Sequence, residues 1–226
     1  ISTAILPRLS ERWSTGDNEE FAEMLNRGVK ISLLIVLPAT LGLFVLGKPI
    51  IELLFEHRNF LPSDTARTVH VLDMYLVGLV GYSFVTLFSR AFYSMKDTVT
   101  PVFVSLFAVA VNVALDLLLV GPMEVGGLAL ATGVSGVVNG GLLLIVFGAK
   151  TGLKGFLPEG RFLIKVLASV LVMGFVVIAI REFIPTVSDL AIVASGVILG
   201  TVSYLGAGLL FGLKETFVEE LLQIGD

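Results

Sequence analysis

The chain has no cysteine, two histidines and one tryptophan, and only 15% of its 226 residues are charged. The missing thiols exclude disulfides, thiolate nucleophiles and cysteine-based metal sites. A soluble domain usually carries about 25% charge, so this chain falls well short of the surface polarity that water demands. The net charge of −4 gives no electrostatic case for nucleic acid. No glycine-rich loop in a strand–helix context points to a nucleotide. Serines lie scattered through apolar runs with no His or Lys at triad-like positions, so hydrolysis has no support and the chain reads as non-enzymatic. His57 and His70 are both expected in one outer loop, with no spaced carboxylates to complete a metal site.

What is present is apolar sequence in long runs: 55% of residues are hydrophobic, in blocks separated by short polar breaks. Six runs, about 29–47, 71–94, 98–120, 125–148, 162–181 and 189–212, each approach the roughly 20 residues needed to cross a bilayer. The fold class is therefore an all-α polytopic membrane protein. The opening "ISTAIL" reads as the end of a helix that stops at Pro7, so the chain is expected to be a piece of a longer protein. Residues 8–28 form a polar connector in which "STGDNEEFAEMLNRG" resembles a capped amphipathic surface helix. "PIIELLFE" at 49–56 reads as a separate short interfacial helix.

Lysines and arginines set the orientation. Eleven of the fifteen, from Arg8, Arg12, Arg27 and Lys30 through Arg90, Lys96, Lys150, Lys154, Arg161 and Lys165 to Lys214, fall on one side. The other side has Lys48, Arg58, Arg67 and Arg181. The positive-inside rule makes the richer side cytoplasmic, together with the tail "KETFVEELLQIGD". Pro101 sits in a first helical turn, where its missing N–H costs nothing. Pro38, mid-span, is expected to break a backbone bond and kink its helix. Glycine pairs at Gly136/Gly140, Gly196/Gly200 and Gly208/Gly212 are spaced for close helix contact.

One run holds an anomaly. "NVALDLLLVGP" puts Asn112 and Asp116 on one helix face, and an Asp at a bilayer centre costs roughly 3 kcal/mol on insertion scales. Asp116 lies about 6 Å below the outer helix end at 1.5 Å per residue, and Thr132 of the next run lies between it and Asn112 in depth. The Thr132 hydroxyl is expected beside the Leu128 carbonyl. A carboxylate, an amide oxygen, a hydroxyl and a carbonyl are hard donors with one negative charge, a set suited to Na⁺. Two other readings stay open: polar contact between helices, and a protonated Asp116 that carries H⁺.

"ILPRLSE", "LNRGVKISLLIVLPATLGL", "LFEHRNFLPSDT", "SRAFYSMKDTVTP" and "GGLALATGVSG" follow one another in an order and spacing that resembles the MurJ/MviN family, bacterial lipid II flippases of the multidrug/oligosaccharidyl-lipid/polysaccharide exporter superfamily. The resemblance covers residues 1 to about 150. It implies a MATE-like two-lobe transporter of fourteen helices, of which residues 1–150 supply most of the second lobe and 151–226 two additional helices and a cytoplasmic tail. It further implies a multi-pass protein of the bacterial cytoplasmic (inner) membrane that moves lipid II by alternating access, with the N-terminal half of the transporter and membrane lipids as partners. The family's pyrophosphate-binding arginines match no residue here and would lie upstream of Ile1, so no substrate-binding residue is assigned. Lys30, Arg90 and Lys165 sit near cytoplasmic span ends, Lys30 most simply as a snorkelling anchor. A cation-coupled antiporter of drugs or of another polyprenyl-linked glycan shares the architecture, and a membrane scaffold is the third reading. The intramembrane Asp argues against the scaffold.

Overall fold

In the computed structural model the described residues are 2–57, 59–183, 188–214 and 216. Arg58 and most of the tail therefore lie outside them. The described residues form seven helices: α1 (Ser2–Thr15), α2 (Asn18–Phe55), α3 (Pro62–Leu76), α4 (Leu79–Ser94), α5 (Val99–Thr151), α6 (Gly160–Phe183) and α7 (Asp189–Leu210). Four of them are long and apolar enough to cross a membrane, and the bent pair α3–α4 makes a fifth candidate.

The longest helix is two crossings. As a straight rod, 53 residues would span about 80 Å, far more than a bilayer. The chain instead breaks at Glu124, whose φ of 50° and ψ of −131° are not helical. Beyond the break the two arms run side by side. Gly127 meets the Leu119 backbone, Asn139 Nδ2 donates to Ser105 Oγ at 3.3 Å, and Lys150 Nζ reaches Asp97 Oδ2 at 2.6 Å. With α5 read as a hairpin and α3–α4 as one broken span, the bundle has six crossings, as the hydropathy predicted.

Cross-helix contacts also sort the chain into two ends. Asn26 donates to the Gly155 carbonyl, Lys165 to that of Gly212, and Lys150 pairs with Asp97 at the basic end. At the opposite end Thr65 donates to Glu56, Arg181 to the Val45 carbonyl, and His70 packs on Gly126. An aromatic cluster ties the basic end together. Phe147 lies 5.6 Å from Phe88, 5.7 Å from Phe92 and 5.2 Å from Phe156, centroid to centroid.

Several boundaries differ from the sequence reading. Helix α1 continues through Pro7 to Thr15, because a proline removes one hydrogen bond yet holds φ near the helical value. The surface helix and the first span are one helix. Asp17 caps it, accepting from the Glu20 amide at 3.1 Å, and α2 runs unbroken from Asn18 into the bilayer. "PIIELLFE" is the last part of that helix and not a separate interfacial one. His70 lies inside α3, not in a loop. Gly212 follows the end of α7 with φ +78°, so it terminates that helix instead of packing it.

Helix α2 tolerates two internal prolines for a visible reason. A proline leaves the carbonyl four residues back without its helical donor. For Pro38 that carbonyl belongs to Leu34, and Tyr204 of α7 donates its hydroxyl to it at 2.9 Å. For Pro49 it belongs to Val45, and Arg181 of α6 reaches it at 3.3 Å. Helices α6 and α7 pack on each other and on α2. Close approach is possible because an added Cβ at Gly196 would stand 2.9 Å from Leu46, and one at Gly200 2.9 Å from Val177. Both proline-freed carbonyls are thus served by the C-terminal pair.

Candidate functional site: a polar face on the α5 hairpin

The break at Glu124 turns a greasy helix into two antiparallel arms and sets their register. Contacts at Leu119/Gly127 and Ser105/Asn139 bracket the level at which Asp116 faces the turn containing Leu128, and Asn112 the turn containing Thr132. Thr132 Oγ1 donates to the Leu128 carbonyl at 2.9 Å, the back-bond expected of a helical threonine. The Thr132 carbonyl in turn accepts from the Tyr82 hydroxyl and from Ser135 Oγ, both at 2.9 Å.

Asn112 and Asp116 are half-buried. Asp116 Oδ1 and Asn112 Nδ2 are fully shielded and have no hydrogen-bond partner among the described residues. A buried polar atom left unmatched costs about 1–3 kcal/mol, and more when charged. The two residues are four apart and so lie on one helix face. The donor chemistry fits a small cation, since turning the Asn112 amide over would present its oxygen beside the free carboxylate oxygen. Among the described residues no hydrogen bond joins Asp116 to Thr132 or gives either of these two atoms a partner.

The broken span completes the surroundings. Helices α3 and α4 meet at 41° around Gly78, where an added Cβ would stand 2.6 Å from the Gly133 Cα. Gly81 lies equally close to Gly136, and Gly140 to the Gly81 carbonyl, so the Gly136/Gly140 face is a contact face against α4. Bending α3–α4 onto the inner arm of the hairpin delivers Tyr82 and His70 to its two levels. Sequence reasoning missed Asp73 of α3, a second intramembrane acid with one shielded, unpartnered oxygen. Its only signal was a single carboxylate in "VHVLDMYLVG".

A second feature is apolar. Helices α2, α6 and α7 enclose a groove of about 440 Å³ lined by Leu34, Pro38, Leu46, Met173, Gly200 and Tyr204, among others. Arg90 is half-buried near the end of α4, and Lys30 Nζ lies 5.8 Å from the centroid of the Phe162 ring.

The family model described as "Lipid II flippase MurJ" matches residues 1–205. This chain belongs to the MurJ lipid II flippase family. "Probable lipid II flippase MurJ" of Rickettsia prowazekii (strain Madrid E) is 28% identical over 217 residues, 96% of this chain and 42% of that protein. The Thermotoga maritima protein of the same description is 35% identical, over 80% of this chain and 36% of its own length. "Lipid II flippase MurJ" of Thermosipho africanus (strain TCF52B) is 32% identical, over 78% and 34%. A solved structure, "Lipid II flippase MurJ, inward closed conformation", superposes with a TM-score of 0.75 at 28% identity, covering 98% of this chain and 43% of that one. The chain thus spans about two-fifths or less of these MurJ proteins. Its apolar crossings and its family make it a multi-pass protein of the bacterial inner membrane. These relatives are named for lipid II and not for drug export, so the antiporter reading is not favoured.

Proposed function

We propose that this chain supplies most of the second lobe, and the appended helix pair, of a flippase that carries lipid II from the inner to the outer leaflet. The MurJ match across residues 1–205 carries this reading. Transport is by alternating access: residues 1–150 rock against the N-terminal half of the transporter around a central hydrated cavity. The cargo crosses with no bond made or broken, which makes the protein a transporter and not an enzyme. Its pyrophosphate is gripped by the family's arginines, mostly on the other lobe and all upstream of Ile1, and its polyprenyl tail stays in apolar surroundings. The groove between α2, α6 and α7 has the volume and lining for a stretch of such a tail.

Coupling falls to the α5 hairpin. Asn112, Asp116, the Leu128 carbonyl and Thr132 are assigned to Na⁺, whose charge would supply the partner that the buried Asp116 oxygen lacks. Asp116 and Asn112 lie on one arm and Leu128 and Thr132 on the other, so the set joins both arms of the hairpin. The test is translocation of fluorescent lipid II in proteoliposomes. The intact transporter moves it, and residues 1–226 alone do not. Translocation by residues 1–226 alone, or none by the intact protein, contradicts the reading.

A further inference from the structure

The basic end holds a site that the flippase reading does not use. Asn26 and Lys30 of α2, Glu159, Arg161 and Lys165 at the start of α6, and Gly212 after α7 surround a polar pocket of about 290 Å³. Three cations line it against one carboxylate. Lys30 and Lys165 are half-buried. Lys30 is held over the Phe162 ring, and Lys165 donates to the Gly212 carbonyl at 3.1 Å, which leaves two of its protons free.

Some cations elsewhere in the fold have a carboxylate partner. Arg12 pairs with Glu20 at 3.0 Å, Lys48 with Glu52 at 3.5 Å and Lys150 with Asp97 at 2.6 Å. Among the described residues no ion pair includes Lys30, Arg161 or Lys165, although Glu159 stands at the same pocket. In the first turn of α6 the Phe162 and Leu163 amides already donate to the Glu159 carbonyl, so what that helix end adds is its dipole, which favours negative charge.

Depth selects the ligand. The outward apolar surface of α6 begins at Ile164, 69% exposed, and that at the end of α7 runs through Leu210, 87% exposed, to Phe211, 41% exposed. The pocket therefore lies within about one turn of lipid-facing surface, at the level of phospholipid phosphates. Basic pockets between helices on the cytoplasmic side are suited to anionic headgroups. We propose that this pocket binds the phosphate of an anionic phospholipid of the inner leaflet, with Lys30, Arg161 and Lys165 as its ligands. The lipid staples the start of α6 and the end of α7 to α2, and it does so whether or not the transporter is carrying cargo. The site goes beyond the flippase reading and does not depend on it.

The intact transporter, placed in phosphatidylcholine nanodiscs with graded dioleoyl-phosphatidylglycerol, tests this by native mass spectrometry of retained lipid. Lys30→Gln and Arg161→Gln should each weaken phosphatidylglycerol retention about fivefold, the effect of removing one cation near a membrane surface. Neither touches the Lys165–Gly212 bond, so a loss of fold does not mimic the result. Lys30→Arg should retain the lipid. Unchanged retention in both glutamine variants overturns the proposal. Displacement of the lipid by an equal concentration of inorganic phosphate also overturns it, because the site would then be one for free phosphate. A severalfold rise in retention on Glu219→Gln/Glu220→Gln overturns it too, because the pocket would then belong to the acidic tail of the chain.

Discussion

Replacing Tyr204 by Phe removes one oxygen from the contact between the C-terminal pair and α2, and leaves the ring in place. That oxygen donates to the Leu34 carbonyl at 2.9 Å, and Tyr204 is only 6% exposed. With Pro38 four residues further on, Leu34 has no helical donor to fall back on. Interhelical hydrogen bonds in membranes average about 0.6 kcal/mol and reach about 1.7. A buried acceptor stranded by deletion of its donor lies at the upper end, so Tyr204→Phe should cost about 1–2 kcal/mol. The discriminating experiment is a double-mutant cycle with Pro38→Ala, read as unfolding free energy of the intact transporter in mixed micelles. Alanine restores the amide that bonds Leu34 within the helix, so Tyr204→Phe should cost little in that background. The coupling between the two sites should be about 1 kcal/mol. An equal cost of Tyr204→Phe in both backgrounds would refute the argument that the tyrosine serves the proline-freed carbonyl.

Glu124 holds φ 50° and ψ −131°, a region that glycine enters at far lower cost, so Glu124→Gly should raise the unfolding free energy by about 1 kcal/mol. No change in thermal midpoint would show that the hairpin turn is unstrained. Burial pushes the Asp97 carboxyl up, but the bonds from Lys150 and from the Thr100 amide and hydroxyl prevail and hold it down at about 2. Its stabilisation is therefore complete above about pH 4 and is lost as pH falls through about 2. Lys150→Met should flatten that part of the acid-unfolding curve and cost under about 1 kcal/mol at neutral pH, since Lys150 is more than half exposed. Cysteines at Ser14 and Ser63 should label from the cytoplasmic and the outer side respectively, and labelling of position 14 from outside intact cells would invert the topology.

The crossings were legible because bilayer thickness imposes a length that hydropathy reads directly. The Thr132–Leu128 back-bond was legible too, since it is local to one helical turn. What escaped was decided by distant partners. "PIIELLFE" looked like a separate interfacial helix because apolar residues alternate with Glu52 and Glu56, yet α2 runs on through Pro49, whose freed carbonyl is served by Arg181, far along the chain. His70 looked like a loop residue because the apolar run reads as beginning at 71, yet α3 extends outward to Pro62 and seats the imidazole on Gly126. Lys30 looked like a lone snorkelling anchor until α6 and α7 brought Phe162 and Lys165 to it.

We propose that the α5 hairpin holds a monovalent cation between Asn112, Asp116, Leu128 and Thr132. The most direct measurement is the thermal midpoint of the intact transporter titrated with NaCl at constant ionic strength, with choline as the balancing cation. A ligand bound only by the folded state stabilises by RT ln(1 + [L]/Kd), about 2.7 kcal/mol at one hundred times Kd. The account predicts a saturable upward shift specific to Na⁺ that vanishes in Asp116→Asn and weakens in Thr132→Val. A shift that is absent in the parent protein, or that persists undiminished in Asp116→Asn, would contradict it.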